Sequence, residues 1–239
     1  MVAPPSRDNL LLQALPAAER ELLRADLTSV VIQRSTLLAD VGEPLRHVVF
    51  PAGGAVSLVT ATADGGSVEA VLIGNDGVAG SWCAVGIEGA PWRTIVQAGG
   101  PAYQMTSEAF RRAMDEMPTL ARLVARYNVA AHLLTSQSAA CNRFHELPAR
   151  AARWLLMVSD RTGTSELTLT HDFLSQMLGA YRPSVTVALR GLDAAGLVEM
   201  RRSRLQIVDR ASLEALACEC YNVGRQQTRD LLRLNGLAE

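Results

Sequence analysis

The sequence predicts an α+β fold in three consecutive parts: a strand-rich N-terminal half, one long helix and a C-terminal winged helix-turn-helix. Three observations predict it. Short β-branched runs between about residues 30 and 105 are punctuated by glycines roughly every 12 residues. An unbroken helical periodicity runs from Pro118 to about His145. From Leu169 to Ile207, two short amphipathic patterns flank the turn Gly179-Ala180-Tyr181 and lead into an arginine-rich hairpin.

Residues 8–27 read as short helices. The strands expected next are Val30–Gln33, His47–Phe50, Ala55–Thr62, Val68–Ile73 and Thr94–Gln97, with Asp64-Gly65 as a hairpin signal. Short strands at this spacing indicate a sandwich, jelly roll or small barrel. Helical periodicity returns at Ser107 and breaks before Pro118.

The long helix carries two seven-residue series. Leu120, Tyr127, Leu134 and Cys141 form one; Leu123, Ala130, Gln137 and Phe144 form the other. These are the a and d positions of a coiled-coil seam, and they predict a homodimer paired along residues 118–147, a helix of about 40 Å. The same pattern also suits a helix packed on its own sheet. Pro148 marks a hinge to a domain over 148–220, and the strand-rich domain covers 1–117. The tail, 221–239, has a short leucine pattern with no evident place.

In the C-terminal part, Phe173, Leu174, Met177 and Leu178 share one face of a helix capped by Thr170. Gly179 ends that helix, and Pro183 suits the first turn of the next. Val185, Ala188, Leu189 and Leu192 form the buried stripe of this second helix, and Arg182, Ser184, Val187 and Arg190 its outer face. Gly196 ends it, and Arg201, Arg202 and Arg204 cluster at the hairpin tip. A winged helix-turn-helix lays its second helix in the DNA major groove and its wing on the phosphates, so the outer face and the wing are the candidate contacts to duplex DNA. Thr170 is a further candidate. His171 either touches phosphate or is an ordinary exposed residue. Paired helices about a turn also occur in many domains that bind no nucleic acid.

With 239 residues, about half hydrophobic, the chain is long enough for two ordinary domains. A formal net charge of −1 gives no global signal for nucleic acid. Its distribution does: residues 1–110 carry −5, 111–147 carry +2, 148–239 carry +2, and 181–206 alone carry +3. The acidic front is repelled by phosphate, whereas the second helix and wing are not. An excess of three also fits a solvated face. All 23 basic residues are arginine. That suits bidentate phosphate and guanine contacts, and a GC-rich coding sequence yields the same bias. Met1-Val2-Ala3-Pro4-Pro5 lacks the basic start and apolar run of a signal peptide, and no stretch has the roughly 18–20 apolar residues of a membrane span. The expectation is a cytoplasmic protein, off the membrane, with Cys83, Cys141, Cys218 and Cys220 reduced.

Cys218-Glu219-Cys220 is the one close cysteine pair. It supplies two metal ligands at most, and the sequence shows no second close pair to complete a tetrahedron, so no metal and no cofactor are expected. A redox role for the pair stays open. Cys83 and Cys141 read as buried apolar residues. A phosphate-binding Gly-Lys-Ser/Thr loop, a Gly-X-Ser-X-Gly elbow and a His-Glu-X-X-His pair are all absent, and no histidine–carboxylate cluster lies in 30–105. An enzyme is not expected.

The order of these parts resembles the Crp/Fnr family of bacterial transcription regulators over roughly residues 10–215. The segments that carry the resemblance are Val41 to Phe50, Gly54 to Val59, and Leu169 to Gly196. It implies a cyclic-nucleotide-binding-like β-roll (jelly roll) joined by a dimerisation helix to a winged helix-turn-helix. It also implies a homodimer on a palindromic DNA site, with RNA polymerase as a further partner. The family's recognition helix often carries Arg-Glu-Ser/Thr with a later Arg. Here Arg182 and Ser184 match while Pro183 and Val187 do not, which implies a different base preference. Cyclic-nucleotide-binding members carry a Gly-Glu pair and a downstream Arg-Ser or Arg-Thr. Ala79-Gly80-Ser81 has no glutamate, and Arg93-Thr94 is the weak candidate for an effector pocket. Cyclic AMP is therefore not expected, and the effector is not identified. The oxygen-sensing branch's N-terminal cysteine cluster is absent. A sensing module whose helix-turn-helix no longer binds DNA is the competing reading.

Overall fold

The computed structural model describes residues 8–232; the first few residues and the tail beyond 232 lie outside the described residues. Two short helices, α1 (Leu10–Gln13) and α2 (Ala17–Arg24), precede the strands. Asn9, fully buried, caps α1 with its side-chain oxygen and donates its amide to the Pro51 and Gly77 carbonyls, fastening the N-terminal segment to the roll.

The roll consists of two antiparallel sheets. One has the order β1 (Thr28–Ile32), β7 (Gly100–Thr106), β3 (His47–Pro51). The other runs β2 (Leu37–Ala39), β6 (Arg93–Ala98), β4 (Ala55–Ala61), β5 (Ser67–Ile73). Val48, Phe50, Val56, Leu58, Ile73, Val96 and Met105 belong to its core. The expected strands are present to within two residues. Two strands, β2 and β7, go beyond the expectation: β2 is too short to show a period, and β7 opens on Gly100-Pro101, which reads as a turn. The neighbours of β7 supply the ladder that its composition does not advertise.

Helix α3 (Ser107–Glu116) puts Phe110 edge-on against Phe50, with ring centroids 6.1 Å apart. Helix α4 (Pro118–Phe144) begins on proline in its first turn and runs the full expected length. α5 (Leu147–Thr162) follows two residues later. Then come β8 (Glu166–Thr168), α6 (His171–Leu178), α7 (Arg182–Ala194), β9 (Val198–Arg201), β10 (Arg204–Ile207), α8 (Arg210–Leu216) and α9 (Cys220–Leu232). β8, β10 and β9 form a three-stranded antiparallel sheet, the wing. α9 turns back to lie along α4.

The C-terminal core does not stop at Pro148, the hinge expected from the sequence. Trp154, Leu155, Leu174, Val185 and Leu189 share one apolar cluster with Ala55, Val59 and Leu72 of the roll. The Arg161 guanidinium, almost fully buried, pairs with Asp76 at 3.3 Å across the same junction. The Glu69 carboxylate accepts from Trp154 Nε1 at 3.0 Å and from the Ser57 hydroxyl at 2.5 Å. The helix-turn-helix domain is thus docked on the outer face of β4 and β5.

Candidate nucleic-acid interface

Local chemistry builds the helix pair as expected. The Thr170 hydroxyl accepts from the Phe173 amide at 3.1 Å and caps α6. Gly179, at φ 55°, takes the left-handed conformation that ends α6 and lets Ala180 N return to the Ser175 carbonyl. Arg150 of α5 donates to the Leu178 carbonyl and, at 2.9 Å, to Asn142 of α4. His171 is half-buried, and its Nδ1 lies 3.0 Å from the Thr186 hydroxyl of α7. It locks the two helices at their crossing, which corrects its reading as an exposed residue.

On α7, Val185, Ala188, Leu189 and Leu192 are buried, and Arg182, Ser184, Val187 and Arg190 are exposed in one row. Val187 is 69% exposed, which its apolar side chain does not itself favour. No acidic residue stands in the first turn of α7, so the positive end of the helix dipole faces outward unneutralised. Tyr181, just before α7, is 77% exposed and is not among the residues singled out from the sequence. An aromatic directly before a polar helix face is its one signal.

The wing is less basic than its arginines suggest. Arg201 holds Glu199 through two hydrogen bonds of 3.1 and 3.2 Å, and Arg204 pairs with Glu166 at 2.9 Å. Both are surface pairs that a phosphate can displace cheaply. Arg202 sits at the tip beside Ser203, whose φ is 59°, and has no ion-pair partner among the described residues. Asp193 of α7 accepts from the Met200 amide at 3.0 Å, which ties the wing to the helix.

Other expected site residues fall elsewhere. Leu120, Leu123, Tyr127, Ala130, Leu134 and Cys141 are buried within the protomer, Gln137 is half-buried, and Phe144 is 75% exposed. All of the series but Phe144 faces the chain's own roll and α9, not an open seam. Tyr127 lies against Gly77, where a Cβ would come within 2.6 Å of ring atoms. Arg93 is exposed and held by Asp40 through bonds of 3.1 and 2.7 Å, while Thr94 is fully buried and donates to the Trp92 carbonyl. Alternation along β6 sends the two side chains to opposite faces, so they do not line one pocket. A small cleft occurs instead at the docking junction, among Glu69, Leu134, Ser138, Arg153, Trp154 and Met177. The structure also gathers Cys141, His145, Cys218 and Cys220, which are far apart in sequence. The signal that could have found them is the i, i+4 spacing of Cys141 and His145 on one helix face.

A second helix with an exposed polar face and a wing beside it, carried on a β-roll, defines a winged helix-turn-helix protein with a cyclic-nucleotide-binding-like fold. Residues 149–216 match the family described as the Crp-like helix-turn-helix domain. The CRP-like cAMP-activated global transcriptional regulator of Mycobacterium tuberculosis is 28% identical over 115 residues, covering 45% of this chain and 51% of that protein. The chain therefore spans about half the length of the curated relatives it matches. A Crp/Fnr-family transcriptional regulator from Eubacterium rectale superposes with a TM-score of 0.65 at 18% identity, covering 86% of this chain and 96% of that one. A CRP-family regulator from Thermus thermophilus gives 0.66 at 23%, covering 79% and 96%. The chain is Crp/Fnr-like: in sequence through its helix-turn-helix domain, and in fold over most of its length.

Proposed function

We propose that this protein is a sequence-specific DNA-binding transcription regulator that acts as a homodimer and is not an enzyme. One observation carries the reading. Arg182, Ser184, Val187 and Arg190 stand exposed in a row on a helix whose opposite face is locked into the core, beside an Arg202 that forms no ion pair among the described residues. On this reading Arg182 contacts guanine O6 and N7, and Val187 meets a thymine methyl. The dimer uses the face of α4 that the protomer leaves open. Arg122, Ala125, Val129, His132, Ser136, Ala139 and Arg143 are exposed or partly so at alternating three- and four-residue steps, a second seam offset by two residues from the buried one.

The roll is read as a sensor that does not take cyclic AMP. Arg93 is occupied by Asp40, and no glutamate follows Gly80. Among the described residues, no helix is long and apolar enough to cross a membrane.

The test is a mobility-shift titration of the full chain on the duplex upstream of its own gene, with random duplex as competitor, at several salt concentrations. Retardation that weakens steeply with salt and resists the competitor is expected. Absence of salt-sensitive binding, with cyclic nucleotides and other candidate effectors supplied, would support a sensing module that has lost DNA binding.

A further inference from the structure

The last turn of α4 and the start of α9 meet at the far side of the hinge. Cys141 lies in the last turn of α4 and His145 caps that helix four residues on, and Cys218 and Cys220 flank the exposed Glu219 just before and at the start of α9. Their four ligand atoms all lie within 4.8 Å of one another. Cys141 Sγ is 3.4 Å from Cys218 Sγ, and Cys220 Sγ is 3.4 Å from His145 Nδ1. A tetrahedron with arms of about 2.3 Å has edges of about 3.8 Å, so the group is close to the size that one thiophilic cation requires. It is too tight for an iron–sulfur cluster, whose cysteine ligands stand on opposite sides of a multi-iron core. The sulfur pair is also well beyond the roughly 2.05 Å of a disulfide, and all four cysteines are free.

We propose that Cys141, His145, Cys218 and Cys220 form a structural zinc site. The groups around the cluster suit it. His145 turns Nδ1 to the cluster and places Nε2 3.1 Å from the Glu219 carboxylate, the outer contact that fixes the tautomer of a metal-bound imidazole. The Gln137 amide donates to Cys220 Sγ at 2.9 Å. Three thiolates and a divalent cation leave one negative charge. Arg153, almost fully buried with its Nε unpartnered, and Arg150 are the cations facing Cys141. All three cysteines are buried and the histidine partly so, which leaves no open coordination position and marks a structural rather than a catalytic site. The ion would join α4 to the segment beyond the wing, across a gap of more than 70 residues, and hold α9 against α4. All four ligands lie outside the matched helix-turn-helix domain, two before residue 149 and two past residue 216.

Metal analysis of the full chain, purified under reducing conditions from zinc-supplemented cells, tests this. About one zinc per chain is expected. Cys83→Ser should keep it, because Cys83 lies in the roll, whereas Cys218→Ser and His145→Ala should lower it at least about tenfold. Should those variants fail to fold, cobalt(II) added to chelator-stripped wild type decides: the visible bands of a tetrahedral thiolate site support the proposal. A metal-free wild type with no cobalt spectrum would overturn it, as would iron with sulfide, or a Cys141–Cys218 disulfide in freshly made protein.

Discussion

Arg182 and Arg202 look alike in sequence and differ in surroundings. Arg182 stands in the first turn of α7, a helix held at two points: the His171–Thr186 contact with α6 and the buried Val185 stripe. On the proposed docking, a side chain anchored in this way reads a base edge. Arg202 is at the tip of a hairpin, and on the proposed docking it reaches phosphate only. Arg182→Ala should therefore weaken binding by about 1–3 kcal/mol and relax preference at one base pair of each half-site. Arg202→Ala should weaken all sequences alike and lower the salt slope by about one unit per half-site. Parallel titrations on specific and random duplex distinguish them; equal losses on both duplexes from Arg182→Ala would remove it from base reading. Arg201→Ala should change less than Arg202→Ala, because Glu199 already neutralises much of its charge.

At the scale of the element, α4 shows what a heptad pattern does and does not decide. The apolar series is the buried face of a long helix, as its period indicates, but its partner is the chain's own roll and α9. Leu134 is 7% exposed inside the protomer, whereas Val129 is 52% exposed on the opposite side. A charge at the two positions should act differently. Leu134→Glu forces a carboxylate into the core and should destabilise the protomer by roughly 4 kcal/mol, with unfolding rather than clean dissociation. Val129→Glu should leave protomer stability within about 0.5 kcal/mol and give monomers in sedimentation. A Val129→Glu protein that still sediments as a dimer would move the interface off this face of α4.

Across the whole molecule, the junction between roll and helix-turn-helix holds a carboxyl in an unfavourable place. Burial raises the Glu69 carboxyl above its ordinary value, although hydrogen bonds from Ser57 and Trp154 and the nearby Arg161 and Arg153 oppose the shift. For an acid whose folded value lies above its unfolded one, the stabilising contribution is full below the unfolded value. It is lost as pH rises through the folded value. Glu69→Gln keeps an acceptor for Trp154 and removes the ionisation. Its stability relative to wild type should therefore increase between about pH 5 and about pH 8, as read by urea denaturation at both. A difference that shrinks with rising pH would mean that the arginines, and not burial, govern Glu69. The same junction ties the roll to α5, against which α7 packs, through Arg161, Trp154 and the shared apolar cluster.

Periodicity and turn chemistry are enough for most of the fold and for the outline of the interface. An amphipathic stripe, an N-cap threonine and a left-handed glycine act within a few residues of themselves, so Thr170, Gly179 and the two faces of α7 are legible from local rules. What lies beyond those rules depends on residues far apart in the chain. The buried face of α4 does not specify its partner, since the chain's own sheet and a second copy bury the same leucines equally well. Arg93 reads as an anion site in sequence, and only Asp40, over 50 residues away, shows that its charge is already held. Cys141 and His145 meet Cys218 and Cys220 only because α9 folds back along α4. Side-chain type and spacing set what each segment buries or caps; which distant segment answers it is set by closing the loops between them, and that exists only in the folded chain.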